Sequence, residues 1–167
     1  MVLALIVIVS ISFYILYETQ NLLLNPQSSK HDSPSHDELV NYALLLINLD
    51  RQANGLQNVS LSDVNSGQQH ADEMLQTGYF SHWDVQGYKP YIRYTLAGGK
   101  GAVSENIGQV ANWAAAGMSE KQALNDSQWG MMHDDAEWNW EHKNNILDPL
   151  HNKVSIGIAY DHNYLYF

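Results

Sequence analysis

The chain has 167 residues, a formal net charge of -10 at pH 7 and no cysteine. That length suffices for the core of one domain plus an appendage, and the acidic charge argues against nucleic acid as a partner. The lack of thiols excludes both a disulfide framework and a cysteine-ligated zinc, so any metal has to be held by His, Asp or Glu.

The first element is "MVLALIVIVSISFYILY", which carries no charge from Met1 to Tyr17 and is ended by Glu18. It is at the short limit for a membrane-spanning helix and the long end for a signal-peptide core. No small-x-small cleavage site follows and no Lys or Arg precedes it. The run therefore reads as an uncleaved signal anchor, a single N-terminal hydrophobic helix over residues 1–17. A cleaved signal peptide, giving a secreted product, is the alternative, and a buried core helix the third reading. Either of the first two puts the rest of the chain outside the cytoplasm. Residues 18–34, polar with two prolines, read as a linker.

The domain is expected over residues 35–167. Ser35 and Glu38 have capping-box spacing, in which each side chain satisfies an orphan backbone N–H of the other residue. Leu39, Tyr42, Ala43, Leu46 and Leu49 then recur at helical period, predicting a helix to about Gln52. "ANGLQN" is a turn. A second helix is predicted from about Leu61 to Leu75, stopped by Gly78. Tyr79 to Gly108 reads as irregular. Helices follow around Glu120 to Met132 and His142 to Leu147. "KVSIGIAY" and "YLYF", separated by "DHN", predict a C-terminal hairpin; Phe167 lies within its second strand, which reads as cut short. Helices first and strands last is an α+β pattern.

Several motifs fail on their own chemistry. "DRQANG" begins like a calcium loop, but Leu61 stands where a bidentate Glu is needed. "AGGKGAVS" has Gly101 where a phosphate loop needs Ser or Thr. "HADEM" offers His70 without a second histidine and reads as helix surface. There is no G-x-S-x-G elbow and no evident nucleophile. In the acidic run "HDDAEWNWEH" the solvated-surface reading leads. Three segments remain, "YFSHWDVQGYKPYIRY", "VSENIGQ" and "EHKNNIL", each setting an ionisable residue (His82, Glu105, His142) among apolar or aromatic neighbours. Two imidazoles and a carboxylate from three loops can converge on a divalent metal or form a proton-transfer pair; each can also be a structural, hydrogen-bonded group.

Taken in order, "INLDRQANGL", "HADEM", "YFSH" with Gly87, Pro90 and Arg93, "ENIG", "HKNNIL" and "SIGIAY" resemble the CAP superfamily (cysteine-rich secretory proteins, antigen 5, pathogenesis-related 1), or SCP domain. The likeness is to its cysteine-free prokaryotic branch and runs from about Leu39 to Phe167. The resemblance implies a three-layer α-β-α sandwich with a cleft carrying two histidines and two acids. His82, Glu105 and His142 match three of the four. For the second acid, Glu120, Asp126, Asp134, Asp135, Glu137 and Glu141 are candidates; Asp135 is favoured, with Asp134 and Glu137 next. The set His82, Glu105, His142 and Asp135 would suit a divalent cation, zinc first and calcium second, with no organic cofactor. The function expected is an extracytoplasmic binding or interaction module, held to the membrane by residues 1–17, for a lipid, peptide or envelope component. The alternative is a metal-dependent, peptidase-like hydrolase using a metal-activated water.

Overall fold

Ser35 starts the first helix as its spacing requires. Its Oγ accepts from the Glu38 amide at 3.3 Å, and its own amide donates to Glu38 Oε2 at 2.7 Å. The computed structural model describes residues 33–167, so the anchor of residues 1–17 and nearly all of the linker lie outside the described residues. Pro34–Phe167 form one compact unit. Among the described residues no helix is long and apolar enough to cross a membrane.

The helices are α1 (His36–Ala53), α2 (Ser66–Thr77), α3 (Pro90–Leu96), α4 (Glu120–His133) and α5 (Glu141–Ile146), with a 3-10 turn at Ala136–Trp138. The strands are short: β1 (Ser60–Leu61), β2 (Gln109–Ala111), β3 (Lys153–Val154), β4 (Ala159–Tyr160) and β5 (Tyr164–Tyr166). β1 pairs in parallel with β3, while β2, β5 and β4 form an antiparallel sheet in that order. α1 packs on α4, α2 on β4 and β5, and α4 on β2, an α+β arrangement. Leu39, Trp113, Leu124, Ile158 and Leu165 form the main core, and Met131, Met132 and Ile146 a second cluster.

Five sequence expectations need correction. The second helix begins at Ser66 rather than Leu61, because Ser60 and Leu61 are extended to pair with Lys153 and Val154. That pairing also removes Lys153–Val154 from the hairpin, which is confined to β4 and β5. The segment read as irregular contains α3, whose start is set by Pro90 at a first-turn position that needs no amide donor. Leu49, expected on the buried stripe of α1, is 51% exposed, and Asn48 is buried in its place. Asn48 faces inward because it pairs with a backbone: its amide donates to the Val59 carbonyl at 3.0 Å, and its Oδ1 accepts from the Val59 amide at 2.9 Å. His70 likewise is not helix surface but buried, since the 79–87 loop folds back over α2.

Arg51 belongs to the same buried face, one turn along from Asn48. It is 1% exposed and makes no ion pair among the described residues; its guanidinium is satisfied by carbonyls alone. Nε donates to Gln57 O at 2.8 Å, Nη1 to Ile146 O at 2.7 Å and Asp148 O at 3.0 Å, and Nη2 to His151 O at 3.0 Å. The turn after α5 is thus held from α1.

Candidate functional site: two imidazole–carboxylate pairs

His82 sits in the loop between α2 and α3, and its backbone is pinned on both sides. The His70 ring donates through Nε2 to the Ser81 carbonyl at 2.8 Å, and Arg93 Nη1 donates to the carbonyls of His82 at 2.8 Å and Tyr88 at 2.9 Å. The half-exposed His82 ring places Nδ1 3.0 Å from Glu105 Oε1. The other Glu105 oxygen is bonded by Arg93 Nη2. One arginine therefore fixes both the loop carrying His82 and the carboxylate facing it.

The second pair is made within one stretch of chain. His142 Nδ1 lies 2.6 Å from Asp135 Oδ1, and the Lys143 amide donates to Asp135 Oδ2 at 3.2 Å. Asp135 is 1% exposed, whereas Asp134, Glu137 and Glu141 are at the surface. Of the acids that sequence left open, Asp135 is the one bonded to His142, and only for it does the solvated-surface reading of the acidic run fail. The chain reverses between them through Asn139 (φ 54°) and Trp140 (φ 61°), both in the left-handed region. For Trp that conformation is strained, at a cost on the order of 1–3 kcal/mol. The Asp135 carbonyl accepts from the Trp138 and Trp140 amides at 3.2 and 3.0 Å and holds the reversal closed.

The pairs are bridged by asparagines. Asn106, next to Glu105, donates to the His142 carbonyl at 2.9 Å, and Asn145 donates to Asn106 Oδ1 at 2.9 Å and to the Glu105 carbonyl at 3.4 Å. "ENIG" and "HKNNIL" are thereby docked on one another. Among the described residues no three His, Asp or Glu side chains gather into a metal-holding group; the four candidates associate two by two. Because a carboxylate can only accept, each neutral ring carries its proton on Nδ1 and keeps an Nε2 lone pair that no group among the described residues takes up. This is the arrangement in which an outer carboxylate orients a ligating imidazole.

Exposed tryptophans lie beside both histidines. Trp83 follows His82 in the chain, and Trp138, 60% exposed, meets the His142 ring edge-on with centroids 6.2 Å apart. Trp113, by contrast, is core. A cavity of about 380 Å³ lies alongside, bordered by Glu105, Arg93 and Asn106 and closed by apolar side chains that include Met74, Leu124 and Ile146.

Burial pushes the Asp135 carboxyl up, but the hydrogen bond from His142, the Lys143 amide and the charge of His142 outweigh it and hold it below the ordinary carboxylate range. A depressed folded-state pKa stabilises the fold above the unfolded value, about 4 for Asp. That stability is lost as pH falls through the folded value. The wild type should therefore lose more unfolding free energy than Asp135→Asn between about pH 5 and pH 3, as read by urea denaturation. Equal losses in the two proteins would show that the pair does not carry this dependence.

Sequence reasoning did not find the roles of His70, Arg93 or Asn106 in holding the histidine loops. It also missed a contact between Ser104 and His151, whose partners lie 47 residues apart and share no local signature.

The family model described as CAP, the cysteine-rich secretory protein family, matches residues 44–167. No curated protein sequence matches the chain. Among solved structures, it is similar to an extracellular protein containing an SCP domain from Bacillus anthracis, at 15% identity and TM-score 0.52, over 80% of this chain and 42% of that one. It is also similar to the CAP domain of enterococcal PrgA, at 19% identity and TM-score 0.54, over 79% of this chain and 61% of that one. The chain thus spans less than two thirds of either structure, and at these identities the likeness is one of fold.

Proposed function

The chain belongs to the CAP family, and from that premise we propose that it is an extracytoplasmic binding module, anchored by residues 1–17, whose two imidazole–carboxylate pairs take a divalent cation. On this reading residues 35–167 form the family's three-layer α-β-α sandwich, and the ligand is a lipid, peptide or envelope component. The observation that carries the metal reading is the orientation of the rings. His82 and His142 each commit Nδ1 to a carboxylate, Glu105 or Asp135, and leave Nε2 free. Such a donor set fits zinc first, with calcium, a harder ion needing more oxygen ligands, second. The two imidazoles would hold the ion, and the carboxylates, fixed by Arg93 and by the Lys143 amide, would keep the rings aimed. A bound cation would supply Lewis acidity toward an anionic or carbonyl ligand. The exposed Trp83 and Trp138 offer that ligand apolar faces.

Zinc titration of the full chain in detergent, followed calorimetrically, tests this. One zinc per chain is expected, with His82→Ala and His142→Ala each abolishing saturable binding. Glu105→Gln and Asp135→Asn should weaken it by about 10–100-fold, as loss of an outer carboxylate does. Affinity should fall on mild acidification, because imidazole ligates only when neutral. Binding unaffected by both histidine substitutions would reject the site. Turnover of peptide or glycan substrates by the zinc-loaded protein alone would replace the binding-module reading with the hydrolase.

A further inference from the structure

We propose that Ser104 and His151 form a nucleophile–base pair, an acyl-transfer site that works without the cation pairs and takes an ester with an apolar acyl group. Ser104 Oγ lies 3.4 Å from His151 Nε2 and bonds to nothing else among the described residues. The distance is at the loose end for such a pair, as is common before a substrate is bound. The tautomer is the one a base needs. His151 Nδ1 is 3.0 Å from the Asn145 carbonyl; a carbonyl only accepts, so in the neutral ring Nδ1 carries the proton and Nε2 presents its lone pair to the serine hydroxyl.

The base is also held in place. Arg51 donates to the His151 carbonyl at 3.0 Å and to those of Asp148 and Ile146, fixing the turn that presents the ring. Asp148 Oδ2 stands 3.7 Å from His151 Nε2, where it would stabilise the imidazolium formed by proton transfer. Glu105, the next residue after Ser104, is committed to His82 and Arg93 and does not compete for the hydroxyl. Ser104 is exposed, and with His151 it borders the cavity of about 380 Å³, beside Val103, Leu150 and Val154. A cavity with that lining accepts an aliphatic acyl group.

Ser104 Oγ attacks the ester carbonyl carbon while its proton passes to His151 Nε2. The ester C–O bond breaks, and the departing alcohol takes that proton, leaving acyl-Ser104. A water then adds to the acyl carbon, again giving its proton to Nε2, and the carboxylic acid leaves as the serine recovers its hydrogen. No metal and no residue of the cation pairs takes part.

The test treats the full chain, in detergent with EDTA, with a fluorophosphonate probe and with p-nitrophenyl butyrate. Mass spectrometry should place the probe on Ser104, and ester hydrolysis should persist in EDTA, which separates this site from the cation reading. Ser104→Ala should lose both labelling and turnover. His151→Asn, whose amide nitrogen reaches the Nδ1 position and can still donate to the Asn145 carbonyl but which cannot act as base, should lower the hydrolysis rate by about 100-fold or more with an unchanged circular dichroism spectrum and melting point. No label on Ser104 in the folded wild type, or label and turnover undiminished in folded His151→Asn, would overturn the assignment and leave a surface hydrogen bond.

Discussion

Arg51→Ala is expected to cost the domain about 3–5 kcal/mol, the scale of leaving several buried acceptors without their donor. The reason lies in what stays behind. Four carbonyls, of Gln57, Ile146, Asp148 and His151, take their bonds from this one guanidinium. An unsatisfied buried acceptor costs about 1–3 kcal/mol, and partial hydration through the turn should recover some of that. Arg51→Lys should recover little, because a point-like ammonium cannot span four acceptors that a planar fork reaches at once. Urea denaturation measures both variants; a loss under about 1 kcal/mol for alanine would mean that water replaces the guanidinium freely.

Gly157→Ala is expected to destabilise by about 3 kcal/mol, the upper part of the range for overpacking. A Cβ at Gly157 would stand 2.1 Å from the Gly67 carbonyl oxygen and 2.2 Å from its carbon. Both atoms are backbone, so no side-chain rotation relieves the clash. Nor can the first turn of α2 simply lift away. Gln68 donates to the Ile158 carbonyl at 3.0 Å and accepts from the Ile158 amide at 2.9 Å, and the Gly67 amide donates to Ser155 Oγ at 3.0 Å. Gly130→Ala is the internal control. Gly130 lies within α4 with nothing near its would-be Cβ, so alanine there should stabilise by about 0.5–1 kcal/mol. Thermal or urea melts should move in opposite directions for the two substitutions; the same sign for both would refute the packing argument.

Parts of the fold were legible wherever the governing interaction is local. The Ser35–Glu38 box and the Gly78 stop in left-handed conformation (φ 69°) each act over three or four residues, and sequence spacing shows them. The "INLDRQANGL" stretch of the first helix was visible as a pattern but not as a purpose. Its Asn48 and Arg51 face inward because distant backbone segments supply their partners, and this is also why Leu49 is displaced to solvent. The two-residue β1 and β3 carry little strand character of their own and exist by virtue of each other.

The candidate site divides in the same way. His82, Glu105 and His142 stood out through segments whose order resembles a family. Asp135 was one of six acids, because its selection depends on a reversal at Asn139 and Trp140 that a bulky tryptophan does not advertise. By itself the sequence determined the α+β class, the helix ends set by caps and glycine, and the absence of thiol chemistry, since these follow from composition and from neighbours a few residues apart. Only the tertiary structure decided that His82 meets Glu105 across 23 residues, that Asp135 is the buried acid, and that Ser104 faces His151. Such pairings are set by where loops are pinned, by Arg51, His70, Arg93 and Asn106, and hydrogen bonds between remote segments leave no period or spacing along the chain.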